Sequence, residues 1–170
     1  MSHPFQAASP RRAAAALLAC VAAFSSPAMA DLVIDVTGAK AEGGFGAAGN
    51  TVRTFNIGAG ATVNVVNWNF NATALGASWL SELRFNMSDS TIFGVESYTV
   101  TPGTAAGAPG SFQFIGTQTL SLINKDITVG ADGILRMEFF DIANDPGTDA
   151  IWNSGIITLV GVNLVPEPGA

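Results

Sequence analysis

The densest group of potential ligands in the chain is Asp141, Asn144, Asp145 and Asp149, with Trp152 just beyond them. Hard cations such as Ca2+ take about six to eight oxygen donors from carboxylates, amides and backbone carbonyls. Four side-chain donors lie within nine residues here, and Pro146-Gly147 can turn the chain sharply between them. The spacing is not that of an EF-hand, and Asp, Asn, Pro and Gly also fill ordinary turns. A calcium site and a plain acidic loop are therefore both open readings. Trp152, expected in the loop beside these residues, offers an aromatic face to a sugar ring. A calcium-assisted carbohydrate-binding module is the ligand reading that follows.

Other chemistry is limited by inventory. His3 and Cys20 are the only histidine and cysteine, and both lie in the first thirty residues. Beyond residue 30 there is no thiol nucleophile, no histidine base and no zinc site of the usual kind. Glu82, Glu96 and Glu138 are the best candidates for a carboxylate pair in glycoside hydrolysis. That reaction needs two carboxyls at a defined separation in a cleft, whereas alternation along the expected strands assigns all three to a solvated face. Trp68 and Trp79 share parity with Val66, Leu83 and Phe85 and are expected in the core. The expectation is a non-catalytic protein, no enzyme, with no cofactor unless the acidic loop takes Ca2+.

Residues 1–30 have the layout of a secretory signal peptide. Arg11 and Arg12 supply the positive end, Ala13 to Phe24 the apolar run, and Ala28-Met29-Ala30 the small-x-small pattern for cleavage before Asp31. Leu17-Leu18-Ala19-Cys20 is a rival lipoprotein box, although the apolar run continues past Cys20. Without the leader, five basic residues (Lys40, Arg53, Arg84, Lys125, Arg136) face thirteen Asp and Glu, a net charge near −8. Such a surface repels nucleic acid and anionic membrane and favours solubility outside the cell. The expected address is exported, at the cell surface or in the extracellular matrix.

The segments that must position these residues read as strands. Residues 32–36 and 51–57 are β-rich, with a Gly/Ala-rich loop at 38–50 expected to be mobile. Residues 61–71 alternate in two registers, as a β-bulge would produce. Residues 78–87, 91–100, 111–115, 119–123, 134–142 and 156–164 complete the set, with a tight turn at Ala131-Asp132-Gly133 and a loop over 143–155. No apolar repeat at helical spacing backed by caps follows residue 30. The domain, residues 31–164, is expected to be an all-β antiparallel sandwich of about nine strands, jelly-roll-like.

Two resemblances extend this reading. Val165-Pro166-Glu167-Pro168-Gly169-Ala170 resembles the opening of the C-terminal sorting signal of PEP-CTERM proteins, the exosortase substrates of Gram-negative bacteria. The prolines each lack an N–H and fix φ, so this stretch cannot continue a central strand. In that family the tag is followed by an apolar membrane segment and an Arg-rich end. The resemblance implies handling by sorting and export machinery, transient membrane anchoring where such a segment follows, and residence near extracellular polysaccharide as a partner. Separately, the stretches Ser78 to Phe85, Gly133 to Asp141 and Trp152 to Leu159 look like those of P-domain-like jelly rolls, with Arg136 and Met137 where that pattern has an aromatic.

Overall fold

The computed structural model describes residues 29–90, 96–103, 107–143 and 145–163. Eleven strands occur among them: β1 (Met29–Asp35), β2 (Lys40–Ala41), β3 (Val52–Asn56), β4 (Thr62–Val63), β5 (Val65–Ala74), β6 (Leu83–Ser88), β7 (Ser97–Val100), β8 (Gly110–Thr119), β9 (Ile127–Thr128), β10 (Ile134–Asp141) and β11 (Ala150–Asn163). Single 3-10 turns occupy Leu80–Glu82 and Ser121–Ile123. One sheet has the order β1-β11-β5-β8, with β2 added on β11; the other has the order β3-β10-β6-β7; β4 and β9 form a two-stranded annex. All pairings are antiparallel.

Setting aside the two-residue strands β2, β4 and β9, the remaining eight in chain order give 1-8-3-6 facing 2-7-4-5. That is the connectivity of a jelly roll, two Greek keys folded over each other. Period-2 patterning builds the layer between the sheets. Leu83, Phe85 and Met87 of β6 and Leu135, Met137 and Phe139 of β10 are fully buried, facing Val66, Phe70, Ile157 and Leu159 of the other sheet. An aromatic chain runs through this core, with Phe70 against Phe85, Phe114 and Trp152, and Phe139 against Trp152 at 5.1 Å between ring centroids.

Several expectations are corrected. The register change in 61–71 is not a bulge: at Asn64 the chain leaves the β4–β9 annex and enters the large sheet as β5. Register shifts occur instead in β11, between Trp152 and Ser154, and in β1, between Ala30 and Leu32. The strand expected to stop at Ile115 runs on through Gly116 as the ten-residue strand β8, paired to β5 without a break, and the strand expected over 119–123 is instead the 3-10 turn Ser121–Ile123. Gly116 permits the unbroken pairing because the Trp68 ring fills the space a Cβ would need, with Cζ2 2.2 Å from that point. The last strand begins at Ala150, six residues earlier than expected.

The Gly/Ala-rich loop is pinned to the outer face of β10. Glu138 Oε1 accepts hydrogen bonds from the Gly46 N–H and Asn50 Nδ2, both at 2.7 Å, and Phe45 packs on Phe140. Glu138 also pairs with Arg136 at 2.5 Å, and Arg136 lies over the Phe45 ring. A carboxylate that parity assigns to solvent is thereby fully buried under residues 43–50.

Candidate functional site

Four segments meet at one end of the sandwich. Backbone hydrogen bonds tie them together: Asp141 N–H to Gly43 O at 3.2 Å, Ile142 N–H to Glu82 O at 3.2 Å, Asp149 N–H to Ala41 O at 2.8 Å, and Leu75 N–H to Asp149 O at 2.8 Å. The result is an acidic corner built from Asp141 and Asp149, with Asp145, Glu82 and Glu42 close enough to act on their charge. Ser78 reaches in from the turn after β5, its hydroxyl 3.3 Å from Asp145 Oδ2.

Asp141 and Asp149 are 0% and 1% exposed, and one oxygen of each, Oδ2, is buried without a hydrogen-bond partner. The other oxygen of Asp141 accepts from Ala143 N–H at 2.8 Å. Burial, followed by crowding from Glu82, Asp149 and Asp145, pushes the Asp141 carboxyl up to about 6, against the hydrogen bond from Ala143. Burial and then the neighbouring Asp145 likewise raise Asp149 above the usual carboxylate range, while hydrogen bonds from Ser78 and the Asp145 backbone oppose the shift. Arg84 feels the charges of Asp141 and Glu82, yet its guanidinium donates to the Ser81 and Leu83 carbonyls, each at 2.7 Å. Among the described residues no ion pair joins the corner carboxylates, and no three acidic, His or Cys side chains already stand as a metal cage.

An unpaired buried carboxylate oxygen is costly, and two of them in one crowded corner suit a hard cation that supplies charge and takes oxygen ligands. The structure thus brings Asp141, Asp145 and Asp149 together as the sequence suggests; Asn144 lies outside the described residues. Sequence spacing gives no sign of Glu42, Ser78 and Glu82, which are contributed by the jelly-roll connections from other strands.

Trp152 is corrected. It lies in β11 rather than in a loop, is 0% exposed between Phe70 and Phe139, and has no face left for a sugar. Trp79, expected inside, is the exposed tryptophan at 48%. The reason is local: the expected strand over 78–87 opens as a 3-10 turn, whose first N–H, that of Trp79, is bonded by Glu82 Oε2 at 2.7 Å. Trp68 is buried as expected and donates from Nε1 to Pro102 O at 3.1 Å. Of the carboxylates weighed for hydrolysis, Glu138 is consumed by Arg136, Gly46 and Asn50, and Glu82 caps its own turn.

Of the leader-cleavage residues, Ala28 lies outside the described residues, whereas Ala30 and Asp31 belong to β1. Asp31 Oδ1 accepts from Gly161 N–H at 3.0 Å. The tag residues Val165, Pro166, Glu167 and Pro168 also lie outside the described residues.

No family model matches the chain, and no curated protein matches it. Among solved structures it is similar to the VP2 protein in the infectious bursal disease virus subviral particle, at 14% identity and a TM-score of 0.36. That alignment covers 79% of this chain and 33% of the other, so the chain spans about a third of the VP2 length.

Proposed function

We propose that this chain is an exported, non-catalytic β-sandwich that binds calcium in its acidic corner and works at the cell surface or in the extracellular matrix. The observation that carries the calcium reading is the pair of buried, unpartnered oxygens on Asp141 and Asp149. Asp145, Glu82 and Glu42 lie near enough to act on the charge of that pair, and the loop would have to draw in around the ion for them to serve as ligands. Calcium would bring the missing positive charge and order residues 143–149 around it. Titration calorimetry with Ca2+ tests this directly: one site is expected, lost in Asp149→Asn. Absence of binding at millimolar Ca2+ would remove the proposal.

Export and surface residence rest on the leader pattern of residues 1–30 and the Val-Pro-Glu-Pro tag. Intact mass and localisation in the native host test them: an N-terminus at Asp31 and recovery at the surface are expected. A cytoplasmic chain that retains Met1 would contradict them. A second reading, calcium-assisted carbohydrate binding, is favoured by one observation. The exposed Trp79 stands between Ser78 and the 3-10 turn of Glu82, both parts of the acidic corner. Glycan binding that needs both Ca2+ and Trp79, and survives in Trp152→Phe, is its signature.

A further inference from the structure

A sheet edge presents a row of unpaired backbone N–H and C=O groups, and folded proteins usually guard it with charge, proline, bulges or shortness. The two sheets of this sandwich have four edges, β1, β8, β3 and β7. Strand β7 is four residues long, with Pro102 close behind it. Strand β3 carries Arg53, whose guanidinium donates to the Asp35 and Thr37 carbonyls and so also caps the end of β1. Strand β1 is further guarded by its register shift and by Asp31 and Asp35.

Strand β8 carries no charge and no bulge and is long, with Pro109 just ahead of it and outside its paired span. Its ten residues pair with β5 in unbroken register, from Gly110 opposite Ala74 to Thr119 opposite Val65. Residues 97–124 contain no Asp, Glu, Lys or Arg, and β8 contains no proline. Phe112 and Ile115 are 47% and 71% exposed, and Leu122 and Ile123 extend the apolar edge beyond the strand. Outer-face side chains hold the strand flat on its neighbour: Ser111 bonds Thr73 at 2.6 Å and Gln113 bonds Asn69 at 2.6 Å.

The alternation of antiparallel pairing identifies the free backbone groups. Leu120 N–H donates to Asn64 O at 2.7 Å, so that pair turns its polar groups toward each other. Counting back in steps of two, Gln118, Gly116, Phe114, Phe112 and Gly110 also face β5. Ser111, Gln113, Ile115, Thr117 and Thr119 direct their N–H and C=O groups to the open side, where the Thr119 C=O also accepts from Gln118 Nε2 at 3.2 Å.

We infer that β8 is a self-association edge, which takes β8 of a second copy in antiparallel register about a two-fold axis. Electrostatics favours a second copy meeting here. The chain is strongly acidic, so copies repel each other on average, and least along this uncharged edge. A two-fold centred on Ile115 sets Ile115 against itself, Gln113 against Thr117 and Ser111 against Thr119. Every free donor and acceptor in that span then meets its complement, and the contact is closed and isologous.

Light scattering behind size exclusion, on the chain purified after export and run over a micromolar concentration series, tests the inference. Twice the monomer mass is expected for the wild type, falling to monomer on dilution. Ile115→Lys sets a charge on the axis, and Thr117→Pro removes an edge N–H that points away from β5; each is expected to run as a folded monomer. Val33→Lys, on the exposed face of the opposite edge, is expected to keep the dimer. A wild type that stays monomeric throughout overturns the inference. So does a dimer that survives both β8 variants or is lost in Val33→Lys.

Discussion

Asp141 is a carboxyl held in its less comfortable charge state. Its folded value of about 6 lies above the ordinary 3.8. The folded protein therefore keeps a proton that the unfolded chain releases across that interval, and stability falls as pH rises through it. Above about pH 6 the full cost of the buried charge remains, in a neighbourhood that includes Glu42, Glu82, Asp145 and Asp149, with Arg84 turned to backbone carbonyls. In chelator, the melting temperature is expected to fall from pH 4 to pH 6 by about 5 °C, a shift of roughly 1–2 kcal/mol. Asp141→Asn is expected to flatten that slope and to raise the melting temperature at neutral pH, since it removes the charge. A slope unchanged in the variant would show that other groups set it. Glu138 is the opposite case, a buried carboxylate fully matched by Arg136, Gly46 and Asn50. Glu138→Gln leaves Arg136 buried without its counter-charge and is expected to cost about 3 kcal/mol in chemical denaturation. A loss under about 1 kcal/mol would mean that Arg136 finds water or another partner.

Strand β11 carries the acidic corner at one end and the centre of its sheet along its length. Next to its register shift stands Gly155, at φ +113°, where a Cβ would lie 2.3 Å from Asn69 O and 2.4 Å from Phe70 Cα. Both neighbours belong to β5 and cannot yield cheaply. Gly155→Ala is expected to destabilise the domain by more than about 2 kcal/mol, read by thermal unfolding. A near-neutral result would mean that the bulge is soft. The strands at 52–56 and 134–141 and the apolar faces of β6 and β10 are legible in the sequence, because period-2 alternation is a local property. The burial of Glu138 is not legible, since it depends on a loop about 90 residues away in the chain folding over β10. Trp152 and Trp79 exchange their expected places for related reasons. Pairing with β2 and β5 extends β11 back to Ala150, whereas Glu82 caps a 3-10 turn where alternation alone suggests strand. Asp141, Asp145 and Asp149 are legible as a cluster; Ser78, Glu82 and Glu42 reach it only through the topology.

The molecule as a whole is an acidic jelly roll with its polarity unevenly distributed. One end concentrates carboxylates that no ion pair joins among the described residues, and one sheet edge, β8, carries no charged residue. A cation at the first and a copy of the chain at the second would suit a protein that acts by binding and assembly outside the cell. Calcium binding is the central claim, and mass action connects it to stability, because an ion held only by the folded state raises the unfolding temperature. The decisive measurement is calorimetric unfolding of the purified chain at neutral pH, in millimolar Ca2+ and then in excess chelator. The expected result is a transition several degrees higher with Ca2+, fully reversed by chelator, with no such shift in Asp141→Asn or Asp149→Asn. Identical transitions in Ca2+ and chelator would contradict calcium binding, and the corner would then be an acidic loop stabilised by the fold alone.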